Sequence, residues 1–128
     1  MKSYLLQDWT TIRADANGAK TNIAQPAALW LDIGRVSDLV FYLDVAQRNG
    51  GSIPKIRYET SPLRDSTAFL ELAQVTLASV PTVTVTPVLL YGSPDVPPSR
   101  WLRWRLTTED ITPTWDVTFR VTVMAYAR

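Results

Sequence analysis

Two runs in the last third of the chain constrain the fold most. Trp101-Leu-Arg-Trp-Arg-Leu106 and Trp115-Asp-Val-Thr-Phe-Arg-Val-Thr-Val-Met-Ala-Tyr-Ala127 both alternate with period two. In the first, Leu102, Trp104 and Leu106 share one face, and Trp101, Arg103 and Arg105 share the other. In the second, Trp115, Val117, Phe119, Val121, Val123 and Ala125 oppose Asp116, Thr118, Arg120 and Thr122. Successive side chains of a strand point to opposite faces, so the pattern marks strands with one face on a core. The polar stretch 107–114, with Pro113, carries turn residues. The two runs are expected to pair as a β-hairpin.

The rest of the chain carries the same signal in shorter pieces. Residues 2–9 are expected to form a first strand, and Asp15-Ala-Asn-Gly18 a turn. Pro26 opens a second strand over 27–33, with Leu29, Leu31 and Ile33 on one face. Residues 37–46 form the strongest inner strand, where Leu39, Phe41, Leu43 and Val45 alternate with Val40, Tyr42 and Asp44. Asn49-Gly50-Gly51 is a turn, and a return strand over 52–60 turns Ile56 and Tyr58 inward. Asp65 or Ser66 caps a single helical turn holding Ala68, Phe69 and Leu72. A strand over 73–80 follows, with Val75 and Leu77 on one face. Over 82–86 the valines are expected inward and the threonines outward. Pro87 marks an edge or a bulge, because it cannot donate to a ladder. Residues 88–91 continue that strand, and 92–98 form a stiff loop.

About eight strands with mixed connections predict an all-β fold: a two-sheet antiparallel β-sandwich. A jelly roll is the first choice among sandwiches and an immunoglobulin-like one the second. The 128 residues suit one sandwich domain spanning 1–128, with an extended N-terminal arm over 1–25 as an option. The expected core is Leu39, Phe41, Leu43, Trp104, Val117, Phe119 and Val121.

Composition narrows the chemistry. There is no Cys, which leaves no disulfide scaffold and no thiolate metal site. There is no His, so the commonest general base and metal ligand is missing. Asp32, Asp38 and Asp44 are close in sequence, and paired carboxylates suit glycoside hydrolysis, but turn and cap duty is the stronger reading. Asp15 and Asn17 begin a calcium-loop pattern that no later acid completes. No enzymatic activity, catalytic residue, metal or cofactor is expected. Net charge is +1, which argues against nucleic acid as a partner. No stretch is apolar enough for a membrane span, and residues 1–9 do not form a signal peptide.

The most distinctive side chains are arginines interleaved with aromatics. Arg100, Trp101, Arg103 and Arg105 belong to the first run, and Arg120 is expected opposite them on the neighbouring strand. Such a set is either a solvated outer face, with Asp116 or Glu109 as ion partners, or a surface for a protein, a sugar ring or nucleic acid. Trp30, Tyr42, Trp101 and Tyr126 oppose faces already given to the core, so they are further candidate interface residues. Trp30 and Tyr42 are also the residues that would build a sugar-binding platform.

The order of these signals resembles a group of phage and prophage virion jelly rolls. The resemblance rests on Trp30-Leu-Asp-Ile-Gly34, Asp38-Leu-Val-Phe-Tyr-Leu-Asp-Val45, Ile56-Arg-Tyr-Glu-Thr-Ser-Pro62, Trp101-Leu-Arg-Trp-Arg105 and Trp115-Asp-Val-Thr-Phe-Arg120. It covers most of the chain from Trp30 onward. The same pattern of core and turn residues occurs in galactose-binding-like jelly rolls and carbohydrate-binding modules. The resemblance implies a non-enzymatic virion structural protein, of the capsid-decorating, cementing or head/tail auxiliary type. Such a protein is made in the host cytoplasm, assembles with itself as a trimer, and docks on a major capsid or tail protein. A carbohydrate-binding module and a sandwich-fold assembly adaptor are the alternatives.

Overall fold

The computed structural model describes residues 2–13, 20–50, 54–77, 81–89, 96–108 and 115–127. Nine strands lie in this part of the chain: β1 (Lys2–Arg13), β2 (Asn22–Ala24), β3 (Leu31–Asp32), β4 (Asp38–Gly50), β5 (Lys55–Ser61), β6 (Leu70–Thr76), β7 (Thr82–Val88), β8 (Trp101–Thr107) and β9 (Trp115–Tyr126). They form two antiparallel sheets. The first has the order β1-β9-β4-β7; the second has β2-β8-β5-β6, with β3 also on β8. Since β2 and β3 follow each other along β8, they fill one strand position, and the positions number eight.

The pairs β1·β9, β2/β3·β8, β4·β7 and β5·β6 are nested. That is the path of one long hairpin rolled into two facing sheets, the jelly roll. The β-sandwich expected from the alternation is the one observed. The segment 1–25, where an arm is an option, holds β1 and β2 in its described part, each paired into a sheet.

Every residue of the expected core is 2% exposed or less. Phe41 of the first sheet stacks on Tyr58 of the second at 4.0 Å between ring centroids. Trp104 meets Phe119 edge to face at 5.2 Å. Alternation in β4, β8 and β9 therefore produces one shared interior.

Four expectations are corrected. β8 and β9 are not a hairpin: they lie in different sheets, and their aromatic faces meet across the core. Alternation tells which face is apolar but not whether two apolar faces sit side by side or opposite. Likewise β5 does not return along β4; it pairs with β6 and β8. The stretch 27–33 is not one strand. Ala27–Leu29 is a 3-10 turn and only Leu31–Asp32 are extended. In β7 the faces are inverted. Thr82, Thr84 and Thr86 stand opposite Val45, Leu43 and Phe41, so the threonines face inward and Val83 and Val85 stay more than half exposed. Edge position reconciles this with folding, because the rim of a sandwich is only half-buried and tolerates threonine.

Smaller shifts are at boundaries. β4 runs on through Asn49 to Gly50. The helical turn after Pro62 is a 3-10 turn, Ser66–Ala68, capped by Asp65, whose carboxylate accepts from Thr67 N and Oγ1. β6 begins at Leu70 and ends at Thr76. The turn expected at 15–18 and most of the loop at 92–98 lie outside the described residues, as do 51–53, 78–80 and 90–91.

Candidate functional site

The eight candidate residues divide between the two outer faces of the sandwich. Trp30, Arg100, Trp101, Arg103 and Arg105 belong to the second sheet and its loops; Tyr42, Arg120 and Tyr126 belong to the first. Arg120 is therefore not opposite Arg103 and Arg105. It pairs across β9·β4 with Asp44.

On the second sheet the arginines are satisfied within the chain. Arg103 is 2% exposed and its Nε donates to Glu59 at 2.7 Å. Its guanidinium lies over Phe69 at 4.0 Å and Trp30 at 5.2 Å. A desolvated cation needs such partners, since an unpaired buried charge costs several kcal/mol, on the order of 3–5. Glu59 also accepts from Arg105 Nε at 3.3 Å, and Arg105 Nη1 donates to Asn22 at 2.9 Å. Arg57 completes the row through Glu71 at 2.7 Å and Thr107 at 3.0 Å.

The cover over Arg103 comes from Trp30, a candidate for an interface, and from Phe69, expected only as part of a helical turn. Trp30 packs edge to face on Phe69 at 4.8 Å and donates its indole N–H to the Gln25 carbonyl. Gln25, itself 1% exposed, donates to the Leu6 carbonyl in β1 and so ties the two sheets together. Trp101 is half-buried, with Arg64 and Arg100 within 5.5 Å of its ring. Arg100 grips Asp32 through Nε and Nη2, at 3.0 and 2.8 Å to Oδ2. The Arg100 hydrogen bonds, with a further bond from Gly34 N–H, hold the exposed Asp32 carboxyl below its usual range. Gly34 has φ +64°, the left-handed conformation this turn requires.

The first sheet presents a different surface. In its middle row Leu5, Thr122, Tyr42 and Val85 stand side by side, and Met124, Val40 and Pro87 form the next. Leu5, Trp9, Val83 and Val85 are 44–55% exposed. Arg120 lies over the Trp9 ring at 4.8 Å while its Nη2 bonds Asp44 at 3.1 Å. Tyr126 stands half-buried at the end of β9, where its carbonyl accepts from Ser37. The outer face is thus apolar and aromatic around Tyr42, Val40, Met124, Val85 and Pro87, and polar towards the other end of the sheet, where Thr11 meets Thr118 and Asn49 donates to Asp116.

The carboxylates do not assemble a reacting pair. Asp32 and Asp44 lie in different sheets and each is bound to an arginine. Asp38 lies at the start of β4, opposite Tyr126. Among the described residues no group of three His, Cys, Asp or Glu side chains stands close enough to hold a metal. A shallow groove beside Trp30 is lined by Ala27, Arg64, Asp65 and Ser66. No protein-family model matches the chain, and no curated protein is significantly similar to it.

Proposed function

We propose that the protein is a non-enzymatic structural part of a phage or phage-like particle. It is made in the host cytoplasm, associates with itself, and docks on a major capsid or tail protein. The observation that carries this reading is the outer face of the first sheet. Tyr42, Val85, Met124, Val40 and Pro87 stand in two adjacent apolar rows of a jelly-roll sandwich, and exposed Leu5 flanks them across Thr122. Exposed apolar rows of that kind are what protein interfaces cover. The opposite face supports the same choice: Arg57, Arg100, Arg103 and Arg105 are engaged by Glu71, Asp32 and Glu59, which takes them out of any basic stripe for nucleic acid. The virion setting and the trimer come from the resemblance in core and turn residues.

The test is co-sedimentation of the purified protein with assembled particles. Binding is expected, and Leu5→Glu together with Tyr42→Glu should reduce it at least tenfold with an unchanged circular dichroism spectrum. A folded wild-type chain that sediments with no particle removes the docking. A carbohydrate-binding reading is favoured by one feature, the groove where half-buried Trp30 meets Arg64, Asp65 and Ser66. A glycan-binding screen with Trp30→Ala as control decides it: signal that disappears in the variant replaces the docking reading.

A further inference from the structure

We infer that the outer edge of β7, which pairs with no further strand among the described residues, is a two-fold contact through which a second copy of this chain pairs, strand to strand. The inference concerns the self-association part of the proposed function.

Exposed sheet edges are normally blunted, because their unpaired N–H and C=O groups would recruit other strands. Three of the four edges here are blunted. β1 carries Lys2, Asp8 and Arg13 and two register shifts. β2 is three residues long. β6 carries Glu71 and skips Leu72 in its register with β5. β7 is the least blunted: its one device is Pro87, near its end, while Thr82-Val-Thr-Val-Thr-Pro-Val88 holds no charge and its pairing with β4 runs unbroken from Thr82 to Val88.

The backbone decides which groups are free. Pro87 lies opposite Val40 and has no N–H, so this pair is one of the non-hydrogen-bonded pairs of the ladder. By alternation, Thr82, Thr84 and Thr86 direct their backbone groups to β4, and Val83, Val85 and Pro87 direct theirs to the open edge. The outward donors of the strand are therefore Val83 and Val85.

The sequence around them is a palindrome. Pro81-Thr-Val-Thr-Val-Thr-Pro87 reads the same in both directions about Thr84. A two-fold contact is isologous, so a residue at one side of the axis meets its mirror position in the other copy. With the axis at Thr84, Val83 pairs with Val85 of the second copy and Val85 with its Val83, giving four N–H···O bonds. Pro87 then faces Pro81 at each end of the contact, where neither has an N–H and both carbonyls stay with water. Moving the axis one residue keeps four bonds but sets Val83 against Pro87, so that a valine carbonyl inside the ladder loses its donor. The exposed Val83 and Val85 side chains would lie beside their mirror images on the outer face, extending the apolar rows of both copies. The closed unit of this contact is a dimer, and a trimer would need a different surface.

Sedimentation equilibrium of the full chain tests the contact, together with two variants. The wild type should show a two-chain mass at high micromolar concentration. Val85→Pro removes a donor that points away from β4, so it should leave the circular dichroism spectrum intact and lose the two-chain mass. The chain has no cysteine, so single cysteines report proximity cleanly. Thr84→Cys, on the axis, should oxidise to a linked dimer several-fold faster than Thr86→Cys, whose mirror position is Thr82. A monomer at all concentrations up to about 1 mM overturns the contact. So does Val85→Pro associating like the wild type, or Thr86→Cys linking as fast as Thr84→Cys. A chain that dimerises through β7 but binds no particle supports this contact and removes the docking. A monomer that binds particles does the reverse.

Discussion

Glu59 is the side chain on which the outer face of the second sheet depends. One of its oxygens accepts from both Arg103 and Arg105, and it is itself 8% exposed. Glu59→Gln leaves Arg103 buried between Phe69 and Trp30 without a counter-charge. The variant should lose about 3 kcal/mol in urea unfolding, within the range for breaking a buried pair. A loss under 1 kcal/mol would mean that the aromatic cover alone sustains the cation. Tyr58 is the second residue with a definite consequence. Its ring stacks on Phe41, and its buried hydroxyl has no partner among the described residues. Burial pushes the phenol well above its ordinary value. Above about pH 10 the unfolded chain releases this proton and the folded chain keeps it, so stability should fall there by up to about 1.4 kcal/mol per pH unit. Tyr58→Phe should remove that part of the alkaline slope and raise stability at neutral pH by about 1 kcal/mol. Equal slopes for wild type and variant between pH 10 and 11.5 would contradict the burial. Tyr58 was legible as an inward residue. Arg103 was legible only as an outward one, because Phe69 and Trp30 reach it from segments remote in sequence.

At the level of elements, period-two alternation identified β4, β5, β8 and β9 and their inner faces, since each has one face against the core. It did not give their partners. β8 and β9 follow each other in the chain, yet Trp104 and Phe119 meet edge to face between sheets. In β7 alternation alone assigned the wrong face. Valine is the more apolar residue, but the register with Leu43 and Val45 decides which side is inward. Among the eight candidates, Trp101 lies under two arginines and Tyr42 stands in the apolar outer row, on the faces that alternation assigned them. The apolar surface beside Tyr42 was only partly visible, because Val83 and Val85 read as inward and alternation in residues 2–9 does not show which strand they join. The central role of β9 gives a prediction at this scale. Phe119 is fully buried at the Trp104 contact, so Phe119→Ala should cost about 3–5 kcal/mol by chemical denaturation. A cost near 1 kcal/mol would place the ring outside the packed core.

Across the whole molecule, the nested pairing makes the two ends of the chain neighbours. Lys2 stands opposite Ala125, and β9 lies between β1 and β4. The sandwich therefore closes only when its last strand is present. Folding should take on the order of milliseconds to seconds, as for other folds built from distant pairs. The two terminal strands are not equivalent. β9 buries Trp115, Val117, Phe119, Val121 and Val123, each 5% exposed or less. At roughly 1.5–3 kcal/mol for each large apolar side chain, their loss is on the order of 10 kcal/mol. That equals the whole stability of an ordinary domain, about 5–15 kcal/mol. β1 buries only Leu6 fully, with Tyr4 and Ile12 packed alongside. A chain ending at residue 114 should show no β-sheet circular dichroism and no cooperative melt. A chain lacking residues 2–13 should keep a cooperative transition at a lower midpoint, weakened further by the loss of the bond from Gln25 to Leu6. Cooperative unfolding of the chain without β9 would show that the first sheet closes around β4 alone, and would displace β9 from the centre of the fold.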